Sequence, residues 1–224
     1  MAFDLKILGK VRGVVMDLLP TNRDNEQVHL SGQGEQLVAN SAAMYQEINR
    51  QGKMYWTNTI VDVAAVVAIP TTAVLLALYN NENDGGRSLI IDQVWAMFTT
   101  DAAAGLKHAG IIGCLGQVRE AVPADQALTI KQCNGMGNTD TRVRTIISGT
   151  ALPATTGLAA NWFPLGYSVN SAVASLPGYQ ISVDTFGKYI VPPGRYFALH
   201  VLASVNTIEA QVGIMWHEKV LLNG

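Results

Sequence analysis

Ala73-Val74-Leu75-Leu76-Ala77-Leu78-Tyr79 is a continuous apolar run, and Asn80-Asn81-Glu82-Asn83-Asp84-Gly85-Gly86 follows it as a polar turn. Arg87-Ser88-Leu89-Ile90-Ile91-Asp92-Gln93-Val94-Trp95-Ala96-Met97-Phe98 then returns to apolar, β-branched and aromatic residues. The turn concentrates Asn, Asp and Gly, which tolerate a left-handed backbone, so the chain reads as strand, turn, strand. The first strand has no polar alternation and is expected to be buried on both faces.

The same texture extends in both directions. Upstream, Thr59-Ile60-Val61-Asp62-Val63 alternates as a strand does. Ile60 to Tyr79 is long enough to raise the question of a membrane span. Asp62 near its start, Pro70 in its middle and the uncharged flank Asn80, Asn81 and Asn83 predict instead two buried strands joined at Pro70. Downstream, strands are expected at Ala109–Val118, Ala127–Gln132, Arg142–Ser148, Tyr179–Val183, Tyr196–Ser204 and Gln211–Val220. Many short strands separated by Gly, Pro, Asn and Thr, with almost no helix between them, specify a mainly β chain built as an antiparallel sandwich or barrel.

Residues 1–56 differ: they are more polar and include the loop cluster Pro20-Thr21-Asn22-Arg23-Asp24-Asn25. They are read as an N-terminal arm, with a β domain over 57–224. Within the arm, Glu35–Arg50 places Leu37, Val38, Met44, Tyr45 and Ile48 near one side and is followed by Gly52, which predicts a short amphipathic helix. The first residues, Met1-Ala2-Phe3-Asp4-Leu5-Lys6, show no cationic start followed by an apolar stretch, so no secretory signal is expected.

Of the 224 residues, 49% are hydrophobic and only 14% charged, against roughly 25% charged in ordinary soluble domains. Mean hydropathy is positive. A surface so poor in charge is most readily kept in water when apolar patches are covered between subunits, so a homo-oligomer, a trimer or larger, is expected. The net charge of −2 lacks the basic character of a nucleic-acid binder. Cys114 and Cys133 stand apart, without CxxC or a histidine at zinc-ligand spacing, and are read as small buried hydrophobes.

No arrangement for catalysis stands out. GxSxG, GxxxxGK[ST] and HExxH are absent, and Gly32-Gln33-Gly34 and Gly135-Met136-Gly137 read as turn glycines. His29, His108, His200 and His217 are scattered; His200 and His217 would be neighbours only if the last strands pair. Asp92, Asp184 and Glu209 are expected to face solvent, and Glu82-Asn83-Asp84 lacks the ordered spacing of a calcium loop. The expectation is therefore no enzyme, no cofactor and no metal. Trp95 and Trp216 fall in strands and are assigned to the core. Trp162, Phe163 and Tyr167 lie in the loop-like run Asn161-Trp162-Phe163-Pro164-Leu165-Gly166-Tyr167 and are the candidate interface or ligand-facing aromatics.

Near the C-terminus, Val191-Pro192-Pro193-Gly194-Arg195-Tyr196-Phe197-Ala198-Leu199-His200-Val201 delivers the chain through a Pro-Pro-Gly turn into an alternating strand, and a last strand follows. Together with the acidic Asn/Gly turn and the arm, this layout resembles the jelly-roll structural proteins of viruses and bacteriophages over about Thr57 to Leu222. The resemblance implies a jelly-roll-like β-sandwich acting as a capsid, decoration or spike component of a virion, bound to copies of itself and to other virion proteins. Two other classes remain: a trimeric receptor- or carbohydrate-binding head, and a cupin-type metal enzyme, which the absence of a clustered His/Glu motif disfavours.

Overall fold

The computed structural model describes residues 29–30, 36–37, 45–101, 107–124, 128–137, 140–147, 152, 161–170 and 179–221. The chain divides into two units, Met1–Glu47 and Ile48–Gly224. In the first, β1 (His29–Leu30) pairs antiparallel with β2 (Gln36–Leu37). Gln36 and Leu37 are thus strand where the helical pattern was expected to begin, and helix α1 is confined to Gln46–Arg50. Tyr45, at φ 71°, has a left-handed backbone that a right-handed helix cannot include, so α1 starts after it. Residues 38–44 of the expected helix, and the loop cluster at 20–25, lie outside the described residues.

The second unit is a β-sandwich. Its strands in chain order are β3 (Met54–Asn58), β4 (Val63–Ala64), β5 (Leu76–Asn80), β6 (Arg87–Asp101), β7 (Lys107–Leu115), β8 (Lys131–Gln132) and β9 (Val143–Ile147). They continue with β10 (Trp162–Asn170), β11 (Tyr179–Val191), β12 (Tyr196–Ala203) and β13 (Ile208–Val220). One sheet has the order β10-β7-β12-β5-β9; the other runs β11-β6-β13-β3-β8, with β4 also paired to β13. Met54, Tyr55 and Trp56, which the sequence places in the arm, belong to this sheet through β3.

Setting aside the two-residue strands β4 and β8 and the edge strand β9, eight strands remain, and their antiparallel pairing is nested. The first pairs the last (β3 with β13), the second the seventh (β5 with β12), the third the sixth (β6 with β11) and the fourth the fifth (β7 with β10). Two further ladders, β6 with β13 and β7 with β12, close this long folded hairpin into facing sheets. A hairpin of four nested pairs rolled into two sheets is the jelly roll. β8 and β9, inserted between β7 and β10, extend the β3 and β5 edges.

The core lies between the sheets. From the six-stranded sheet come Tyr55, Ile91, Val94, Val212, Ile214 and Trp216, and from the five-stranded sheet Leu76, Leu78, Ile111, Phe197, Leu199 and Val201. Tyr55 and Trp216 stack at 5.9 Å between centroids. Burying each such side chain stabilises the fold by about 1.5–3 kcal/mol. On the opposite face of the five-stranded sheet, Ala77, Tyr79, Cys114, Ile146, Leu152, Tyr196 and Ala198 form a second buried cluster. β5 is therefore buried on both sides, which is why Leu76–Tyr79 reads as an unbroken apolar run.

Two turns recognised separately in the sequence are tied together. Asn80, at the end of β5, donates through Nδ2 to the carbonyls of Arg87 and Val191, both at 2.9 Å. Its main-chain carbonyl accepts from Gly194 N at 2.7 Å, and its N–H donates to Arg195 O. Gly194, at φ 77°, supplies the left-handed residue of the Pro-Pro-Gly turn. The acidic turn thus holds the chain where β12 begins, and Arg119 pairs with Asp84 on its outer side.

Ile60–Ile69 departs from expectation. It is not a buried strand but a strap. Only Val63 and Ala64 pair with β13, while Val66 donates to Val201 O and accepts from Ala203 N on β12 of the other sheet. A segment that passes from one sheet to the other cannot stay in one ladder, and the residues at its two ends are left exposed. β11 also runs past the expected Val183 to Val191, with a break in register between Asp184 and Tyr189 where Phe186 and Gly187 have positive φ. Of the expected strand Ala127–Gln132, Ala127 lies outside the described residues, and among residues 128–132 only Lys131 and Gln132 join a ladder.

Candidate functional site

The run expected to be an aromatic loop is strand β10, at the edge of the five-stranded sheet. Trp162 donates through Nε1 to Pro70 O at 2.9 Å and meets His200 edge-on. Phe163 stacks on Tyr189 at 4.8 Å and packs against the core; Gly113 on β7 leaves the space it and Leu165 fill. Of the three aromatics named from the sequence, Tyr167 alone stands out into solvent, 77% exposed.

The histidines separate by sheet. His200 lies on β12 and His217 on β13, so the last two strands do not pair and the two rings are not brought together. His200 is buried, with its Nδ1 2.9 Å from Val201 N and 3.1 Å from Val201 O. Burial holds its pKa below the ordinary histidine range, partly offset by the main chain of Val201.

Asp92 was expected in solvent and is instead buried, with Oδ2 at 2.7 Å from His217 Nδ1. The reason is a bulge: Met215 pairs with Gln93 and Trp216 with Ile91, leaving Asp92 as the extra residue of β6, turned toward His217. Beside it, Glu218 is buried against Arg87 at 3.0 Å and accepts from the Thr141 hydroxyl. Burial pushes its carboxyl above the usual range, and the Thr141 hydroxyl and Arg87 oppose that. Both clusters tie β13 to its neighbours. Among the described residues, no three His, Cys, Asp or Glu side chains converge as a metal site. Cys114 and Cys133 are free thiols; burial raises Cys114 to about 11.

Two surface features of the sandwich went unrecognised in the sequence. The first is the strap, where Ile60, Val61, Val67 and Ile69 are 74%, 57%, 61% and 55% exposed. Four large aliphatic side chains are thus exposed within ten residues. The second is a groove of about 540 Å³ on the outer face of the six-stranded sheet, lined by Trp56, Trp95, Gln93, Gln180, Ser182, Met215 and Cys133. Trp95 was assigned to the core but is half-buried on this face. Its indole lies over Gly213, where any Cβ would come 2.1 Å from the ring.

The fold and these surfaces define a jelly-roll β-sandwich with an apolar strap and an aromatic groove. Comparison with protein-family models, with curated proteins and with solved structures found no match for this chain. Among the described residues, no helix is long and apolar enough to cross a membrane.

Proposed function

We propose that this chain is a structural component of a virus particle, a jelly-roll subunit that assembles with copies of itself into symmetric oligomers of three or more. The observation that carries the proposal is the strap: a chain with 14% charged residues spends Ile60, Val61, Val67 and Ile69 on one exposed segment. A stable interface needs an apolar centre with a polar rim. Asp62, which accepts from Gln211 of the same chain, is the acidic residue within the strap and would stand at such a rim. The nested pairing supports the virion assignment by fold analogy, since capsid shells are among the structures built from jelly rolls.

The test is sedimentation velocity on the unaltered chain and on a variant carrying Ile60→Ser, Val61→Ser, Val67→Ser and Ile69→Ser. The expected result is an oligomer that falls to a monomer in the variant, with the same circular dichroism. An oligomer that survives all four changes would reject the strap as the association surface.

A further inference from the structure

The groove on the outer face of the six-stranded sheet has a chemistry the strap lacks. Its members come from adjacent strands in register: Trp56 opposite Met215, Met215 opposite Gln93, Gly213 opposite Trp95, and Trp95 opposite Ser182. From β3 to β11 the face crosses three inter-strand spacings, roughly 14 Å, the length of a short oligomeric ligand. Gly213 sets the shape, because only a residue without a side chain lets Trp95 lie across β13. Trp56 meets Trp95 at 6.4 Å and 50°, so the two indoles make one bent aromatic wall. Lys131 Nζ sits 4.7 Å from the Trp56 ring centroid, which leaves Trp95 as the groove ring with no cation on it among the described residues.

The polar groups around that ring are amides and a hydroxyl. Gln93 donates through Nε2 to Asp184 Oδ1 at 2.7 Å, which fixes the amide and occupies the carboxylate that flanks the site. Gln180 and Ser182 rise from the next strand on the same face and are exposed. Amides and hydroxyls each donate and accept, as a ligand dense in hydroxyl groups requires. An apolar peptide or lipid would leave these groups unpaired, and an anionic ligand would find Lys131 held over Trp56 and Asp184 nearby. A flat ring with C–H groups on its face and hydroxyls at its edge meets both halves of the lining.

We propose that this groove is a carbohydrate-binding site that takes a neutral oligosaccharide, with one pyranose ring on Trp95 and its hydroxyls bonded to Gln93, Gln180 and Ser182. The site uses other residues than the assembly strap, which follows β3 and meets β13 at Gln211, two residues from Gly213.

The probes are cellohexaose, maltohexaose and chitopentaose, titrated against the full chain by calorimetry and tryptophan fluorescence up to about 10 mM. At least one binds with a Kd of about 1 mM or tighter. Trp95→Ala weakens it about tenfold or more, Trp95→Phe keeps most of it, and Gln180→Ala, a surface change harmless to folding, weakens it severalfold. Absence of binding by all three sugars overturns the site, as does binding that Trp95→Ala leaves intact. A Trp95→Ala chain that loses its oligomeric mass, with no sugar bound by the parent, also overturns it, because the face would then be covered by another copy. A strap variant that becomes monomeric yet still binds sugar would uphold this site whatever happens to the assembly proposal.

Discussion

Gly213 and Asn80 show how single residues hold this structure. Replacing Gly213 with Ala puts a methyl where the Trp95 indole lies, and the ring must leave the face of β13. Overpacking of this kind costs about 1–3 kcal/mol, so urea unfolding of Gly213→Ala should show a lower midpoint, together with altered Trp fluorescence. Asn80→Ala removes the donor for both Arg87 O and Val191 O. Leaving those carbonyls without it should cost about 1–3 kcal/mol in the same measurement. His200 contributes through pH. Its folded pKa lies below the usual 6.5, so the unfolded chain binds its proton first. The resulting stability is complete above that value and is lost as pH falls from there through the lowered folded pKa. The loss of Tm between about pH 7 and pH 5 should be smaller in His200→Gln than in the parent chain.

At the scale of elements, sequence reading succeeded where a segment has one role and failed where it has two. β5 was legible as an apolar run bounded by a turn, and β6, β7, β9, β12 and β13 as apolar, β-branched and aromatic segments between turn residues. β10 was not. Pro164 and Gly166 read as loop signals, yet an edge strand tolerates a proline, and the ladder shifts register between those two residues. The strap was missed for the opposite reason: its residues look like a buried strand, and only the passage between sheets exposes Ile60, Val61, Val67 and Ile69. The aromatic groove was illegible because Trp56, Trp95 and Gly213 come together only through strand order, which a single sequence does not contain. The signal available was Gly213 in the interior of a strand, a mark of close approach. For the strap, hydrogen exchange should report slower exchange at residues 60–69 in the unaltered chain than in the four-serine strap variant, as expected of a segment covered on assembly.

Over the whole molecule, the nested pairing explains why distant parts of the chain depend on one another. The first long strand lies against the last and the second against the seventh, so the acidic turn after β5 and the Pro-Pro-Gly turn before β12 become one structure. The chain has little charge to place on the sandwich, and the account rests on copies of the chain covering what is apolar. Light scattering coupled to size exclusion measures this directly as an absolute mass. The account predicts a stable species of at least three times the 24.0 kDa chain mass, unchanged on dilution. A monomer at every concentration tested would contradict it.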